Sequence, residues 1–174
     1  MSKTMPSVLI TTYLEMLHPP QAPVPPAPSG AHVLPMARVD VPYYLFLYRE
    51  VGYQWHWRDR LLMPEATLAS ELAQATVYVL YAEGVPCGYI ELAQVGEDCE
   101  VAYFGLRQAF HGKGLGKYLL AYGVARGWQR PDVARLWVHT CNLDGDNALP
   151  TYQKAGFMPY EVTQEPMPAR YAQP

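Results

Sequence analysis

A single mixed α/β domain on one sheet, antiparallel in its first part, is the fold class predicted by three features of this sequence. Residues 76–106 contain three strand-like runs separated by tight turns, the mark of a meander. At Leu115 the apolar spacing changes to three and four residues, the mark of a helix. Strand, helix and strand then alternate to residue 163. The chain has 174 residues, half of them hydrophobic, enough for one sizeable core without disulfides or metal.

Val8 to Leu17 carries the β-branched and aromatic residues of an added edge strand. Six prolines follow between residues 19 and 28; no helix or central strand tolerates that density, so an extended polyproline-like linker is expected. Residues 1–30 thus read as an N-terminal extension with its proline-rich linker, and 31–174 as the domain. Residues 31–38 suggest a short strand. Residues 41–58 hold seven aromatics, and Thr67 to Ala75 reads as a helix. Strands at 76–82, 87–95 and 99–106 turn at Glu83-Gly84 and at Gly96 to Asp98. From Leu115 to Trp128 apolar residues occupy more than one face, which predicts a buried helix. Arg135 to Thr140 is a strand, Asn147 to Ala155 a helix stopped by Gly156, and Phe157 to Thr163 the last strand.

Composition excludes several functions. A net charge of −3 and a pI near 5.9 argue against nucleic acid as a partner, because phosphate backbones demand a basic face. Cys87, Cys99 and Cys141 are far apart, which is neither a disulfide framework nor a zinc site, so no metal is expected. No apolar run approaches the roughly 18 residues of a membrane span. Val8-Leu9-Ile10 is too short for a signal-peptide core. A soluble chain of the cytoplasm, with no membrane partner, is the expectation.

The chemistry points to His111-Gly112-Lys113-Gly114-Leu115-Gly116-Lys117, between a strand and a helix start. Alternate glycines let a ligand approach the backbone. The free N–H groups and positive dipole end of a helix's first turn bind anions, and Lys113 and Lys117 add charge. A diphosphate fits. A Walker A loop would need glycine at His111 and Ser or Thr at Tyr118, and the dinucleotide pattern fails at Lys117 or Leu119. Glycines serving only a tight loop are the simpler alternative.

The stretch from Ile90 to Tyr160 resembles the GNAT superfamily of N-acetyltransferases. That family's acetyl-CoA signature is Arg or Gln, two residues, Gly, one residue, then Gly or Ala. Here Gly114 and Gly116 match and His111 departs. Ala148-Leu149-Pro150-Thr151-Tyr152-Gln153-Lys154-Ala155-Gly156-Phe157 is similar to the second signature. The family's Asn would fall on Gly145, so the resemblance leaves that contact to Asn142 or Asn147.

The resemblance implies acetyl-CoA as co-substrate, held at residues 111–117, with its pantetheine arm along Phe104, Gly105 and Leu106. These lie where one strand splays from the next, leaving amides for an extended ligand. It implies acetyl transfer to a primary amine of a small molecule or peptide. A non-catalytic acyl-CoA-binding module of the same fold is the alternative. An amine with pKa about 10.4 is almost wholly protonated at neutral pH and needs a base. Glu100 is the first candidate, with Glu91 and His139 behind it. Tyr152 matches the family's acid for the leaving thiolate. The aromatics at 41–58 fall where the family places acceptor-side helices, with Glu50 or Asp59 to steer an ammonium; core packing or a homodimer contact are their other uses.

Overall fold

The computed structural model of this protein describes residues 5–172. In chain order the elements are β1 (Val8–Met16), β2 (Ala31–Pro35), α1 (Val41–Gly52), α2 (Asp59–Leu62), α3 (Glu65–Gln74), β3 (Ala75–Ala82), β4 (Val85–Val95), β5 (Asp98–Leu106), α4 (Leu115–Trp128), β6 (Arg135–Cys141), α5 (Ala148–Lys154) and β7 (Met158–Pro166). The strands form one sheet in the order β2-β3-β4-β5-β6-β1-β7. Neighbours are antiparallel except β5 and β6, which run parallel. The mixed α/β class and the meander of β3, β4 and β5 are as the sequence predicts.

Local chemistry sets the boundaries. Helix α1 begins at Asp40, whose Oδ1 accepts the Tyr43 N–H at 2.9 Å, with a proline in its first turn. Helix α4 buries Leu115, Leu119, Leu120 and Val124, as three- and four-residue spacing requires. Each such leucine contributes about 1.5–3 kcal/mol of transfer free energy. These side chains and those of α5 pack on Ile90, Leu92, Val101, Leu136 and Val138 from one face of the sheet. Helices α1 and α3 pack on Val77, Val79 and Tyr89 from the other. The sheet is the middle of three layers.

The N-terminal strand is not the edge strand its sequence suggests. β1 lies inside the sheet, pairing Thr11 with Cys141 of β6 on one side and with Thr163 of β7 on the other. Leu14 and Met16 enter the same core as α4. Residue type shows that a segment suits a strand, but its neighbours are fixed by pairing with distant residues. The edge is instead β7, whose nine residues are all exposed. The proline run is free of helix and strand, as expected, and bends at Gln21 and Ala22.

One departure from regular pairing positions the site. β5 pairs with β6 over only three residues, Asp98 with Arg135 through Glu100 with Trp137. Beyond Glu100 the two strands part. Opposite this point β4 pairs Glu91 with Tyr103 and Leu92 with Val101, leaving Ala102 as a bulge. A bulge bends and twists its strand, which turns β5 away from β6. Among the described residues, no helix is long and apolar enough to cross a membrane.

Candidate active site

Where β5 leaves β6 a cleft of about 1830 Å³ opens through the sheet. Phe104, Gly105, Leu106, His111, Gly112, Gly114, Gly116, Lys117, Asn147, Tyr152 and Glu100 all line it. The sequence therefore picks out one place. Lys113 and Leu115 are not on the wall. Leu115 points into the core, and Lys113 lies over the Phe110 ring at 5.5 Å.

The loop ahead of α4 is shaped for a ligand. Gly112 and Gly114 both have φ of +76°, and a Cβ on either would meet nothing within 4 Å. The requirement for glycine there is backbone conformation beside open space. The first intrahelical bond runs from the Tyr118 N–H to the Gly114 carbonyl, so the amides of residues 115–117 have no partner within the helix. No acidic residue occupies this first turn; Lys117 does. A cation there opposes the helix dipole, a placement that makes sense once an anion joins it. The His111 Nε2 lies 2.9 Å from the Leu106 carbonyl oxygen. The histidine thus braces the loop with its side chain and leaves the backbone to face the cleft.

Tyr152 projects from α5 and stacks edge-on against Phe104, at 6.0 Å between ring centroids, and against Phe157 at 6.1 Å. Its hydroxyl makes no hydrogen bond to the described residues. Burial, with Asp144 nearby, pushes its pKa well up, so the hydroxyl keeps its proton. Glu100 sits at the fork of β5 and β6, and burial followed by the Glu91 charge raises its carboxyl above the ordinary range. His139 faces it at 4.0 Å; burial lowers that imidazole's pKa and favours the neutral ring.

Four expected candidates lie elsewhere or are already engaged. Glu91 is fully buried beneath α1, accepting from the Tyr44 hydroxyl at 2.5 Å and from Arg60 Nη2 at 2.9 Å. It is a structural counter-ion outside the cleft, and it acts on Glu100 only through its charge. Asn142 has its amide committed to β1, accepting from the Ile10 N–H and donating to the Val8 carbonyl; Asn147 alone of the two asparagines reaches the wall. Asp59 is held by Arg170 Nε at 2.7 Å and the Tyr171 hydroxyl at 2.9 Å, and Glu50 by Arg107.

The aromatic stretch divides. Tyr44 is core, Tyr48 is buried but reaches the cleft wall, and Trp55 and Trp57 line the cleft. Trp57 lies so close to the end of α1 that a Cβ on Gly52 would sit 2.1 Å from its ring. Its Nε1 donates to Asp144 Oδ1 at 3.4 Å. Asp144 also accepts from the Thr140 hydroxyl and the Cys141 N–H. Burial, with Asp144 nearby, pushes the Cys141 thiol up to about 11. Trp57 belongs to the aromatic stretch that the sequence placed on the acceptor side; Asp144 and Tyr13 of β1 are wall residues the sequence reading missed, and nothing in their chain neighbours signalled them. Among the described residues no cluster of three or more His, Cys, Asp or Glu is placed to hold a metal ion.

A glycine-lined helix start, a strand fork and a tyrosine beside it define a cleft of the acyl-transfer type. Residues 43–157 match the acetyltransferase (GNAT) family, and the chain belongs to it. No curated protein sequence matches the chain. Among solved structures, it is similar to a GCN5-related N-acetyltransferase from Kribbella flavida, at 18% identity and TM-score 0.64, over 89% of this chain and 56% of that one. It is also similar to a GCN5-related N-acetyltransferase from Sphaerobacter thermophilus, at 17% and 0.67, over 92% and 52%. An aminoglycoside acetyltransferase from an uncultured soil metagenomic sample, solved in complex with sisomicin, matches at 16% and 0.60, over 73% and 88%. At such identities the likeness is one of fold. The chain spans 52% to 62% of the length of the first four solved structures it matches.

Proposed function

We propose that this protein is an acetyl-CoA-dependent N-acetyltransferase acting on a primary amine. One observation carries the reading: the open glycine cradle and the unpaired edge of β5 meet at a fork flanked by Tyr152 and Glu100. In this reading the amides of residues 112–117 and the dipole of α4 hold the diphosphate. The edge of β5 at Phe104 to Leu106 pairs with the pantetheine amides. The Leu106 carbonyl is taken by His111, so its N–H remains to polarise the thioester carbonyl.

Glu100 takes a proton from the ammonium, directly or through one water. The neutral nitrogen attacks the thioester carbon and the C–N bond forms. As the intermediate collapses the C–S bond breaks, and the surplus proton of the nitrogen passes through water to the departing thiolate, leaving the amide and the CoA thiol. The tyrosine hydroxyl donates toward the departing sulfur. A thiol near 8.5 and an ordinary tyrosine near 10 are close enough for transfer over a short hydrogen bond. Burial widens that gap here, so Tyr152 chiefly stabilises the thiolate by hydrogen bonding as it forms.

Two further parts of the reading concern the chain's surroundings. A soluble, cytoplasmic enzyme accords with its composition. A homodimer accords with β7, an exposed edge that carries Met158, Tyr160 and Val162 outward.

The test is calorimetric titration with acetyl-CoA alongside thiol-release kinetics on Tyr152→Phe. We expect kcat to fall by about 10²-fold or more while acetyl-CoA affinity stays within threefold. Equal loss of both would remove the tyrosine from the chemistry, and absence of acetyl-CoA binding would end the proposal.

A further inference from the structure

The acceptor half of the cleft lies on the face of the sheet that carries α1 and α2, and its charges are unevenly spent. Asp59 is matched by Arg170, and Arg60 is held between Glu71 and the buried Glu91. Asp144 is engaged by three donors of this chain. Among the described residues Glu100 has no salt bridge to an arginine or lysine. His139 lies opposite it at 4.0 Å, burial favours the neutral form of that ring, and Arg60 acts on Glu100 only through its charge from a distance. The fork therefore offers a carboxylate with no directly paired arginine or lysine.

Aromatic faces surround that charge. Trp57 packs against Tyr103 at 5.1 Å and Tyr48 at 5.4 Å, forming the wall below α1. Tyr13 forms the floor from β1, with His139 at 5.7 Å and Trp137 at 6.4 Å beside it. Flat π faces beside a carboxylate hold an ammonium group and the planar, apolar body attached to it. A polyhydroxylated polycation draws instead on several carboxylates at once, and of the acids lining the cleft Asp59 and Glu71 are already paired with Arg170 and Arg60.

From this we infer that the acceptor is a monocationic primary amine carried on a flat aromatic skeleton, its ammonium at Glu100 and its ring between Trp57 and Tyr13. The inference rests on the proposed N-acetyl transfer and narrows it. It sets this chain apart from the aminoglycoside acetyltransferase whose fold it shares.

The test separates the two claims. Calorimetry with acetyl-CoA comes first, and absence of binding defeats the reaction itself. With binding established, thiol release is measured for 2-phenylethylamine and tryptamine against kanamycin and spermidine. We expect kcat/KM at least about tenfold higher for the two aromatic amines. Direct titration of tryptamine into the CoA-saturated protein should show saturable binding. Trp57→Leu and, because that variant risks the fold, Tyr13→Leu should each raise the tryptamine KM about tenfold and leave the acetyl-CoA KM within twofold. Preference for kanamycin or spermidine would overturn the inference while N-acetyl transfer stands. No turnover of any amine with acetyl-CoA bound would overturn it as well.

Discussion

The two mouths of the cleft are built from different materials. On the cofactor side the contacts are backbone: amides at the start of α4, two left-handed glycines, and a strand edge with no neighbour. On the acceptor side they are side chains: Trp57, Tyr13, Tyr103, Glu100 and His139, drawn from three separate strands and the loop ahead of α2. A backbone site is written in a short run of sequence, because it needs only a turn and a helix start. A side-chain site is assembled by topology, so its members are scattered along the chain. In the proposed reading one mouth is fitted to a common diphosphate, and the other sets the choice of acceptor.

That contrast is sharpest at Gly114. Replacing it with valine forces a β-branched residue into a left-handed conformation, costing about 1–2 kcal/mol of strain. Acetyl-CoA should bind about tenfold more weakly or worse, read by calorimetry, while the acceptor KM at saturating acetyl-CoA stays unchanged. A valine variant that binds acetyl-CoA normally would show that the loop's shape is incidental.

The acceptor side answers to pH instead. A base works only when ionised, so activity must fall as pH drops through the Glu100 pKa. Burial and the neighbouring Glu91 place that pKa above the ordinary carboxylate value of 4.5. We expect kcat to show an acidic limb with its midpoint above 4.5, and Glu100→Gln to lose that limb and most of the rate. The same limb in the variant would transfer the role to His139, whose lowered pKa would give a limb below 6.5.

The smallest effect has opposite signs at the two levels. Lys117→Glu sets a favourable charge at the helix start, worth about 0.3–1 kcal/mol. The free protein should melt up to roughly 4 °C higher by scanning calorimetry, yet bind acetyl-CoA more weakly. A variant that lost both stability and binding would make Lys117 a structural residue.

Legibility in the sequence follows the same division. The period change at Leu115 marked α4 to the residue, and the meander and the loop at 111–117 were readable because their causes are local. Tyr152 was found through a signature, not through physics, since nothing in its neighbours announces that it will face Phe104. Glu91 and Glu100 looked alike on adjacent strands; only pairing register and Arg60, thirty-one residues away from Glu91 in the chain, made one a buried counter-ion. Asn142 was misread for a related reason. Its partners are the Ile10 N–H and the Val8 carbonyl, groups that exist as partners only because β1 slots beside β6.

The inner position of β1 also bears on how the chain comes to be folded. Residues 8–16 meet their two neighbours only in residues 135–166, so during synthesis they wait, unpaired and rich in β-formers, until most of the polypeptide has emerged. Joining them closes a loop well over a hundred residues long, a separation that slows acquisition of the native topology and prolongs exposure of a sticky segment. The six prolines among residues 19–28 make the stretch after β1 a poor template for a misplaced strand, because each removes an amide donor from the ladder.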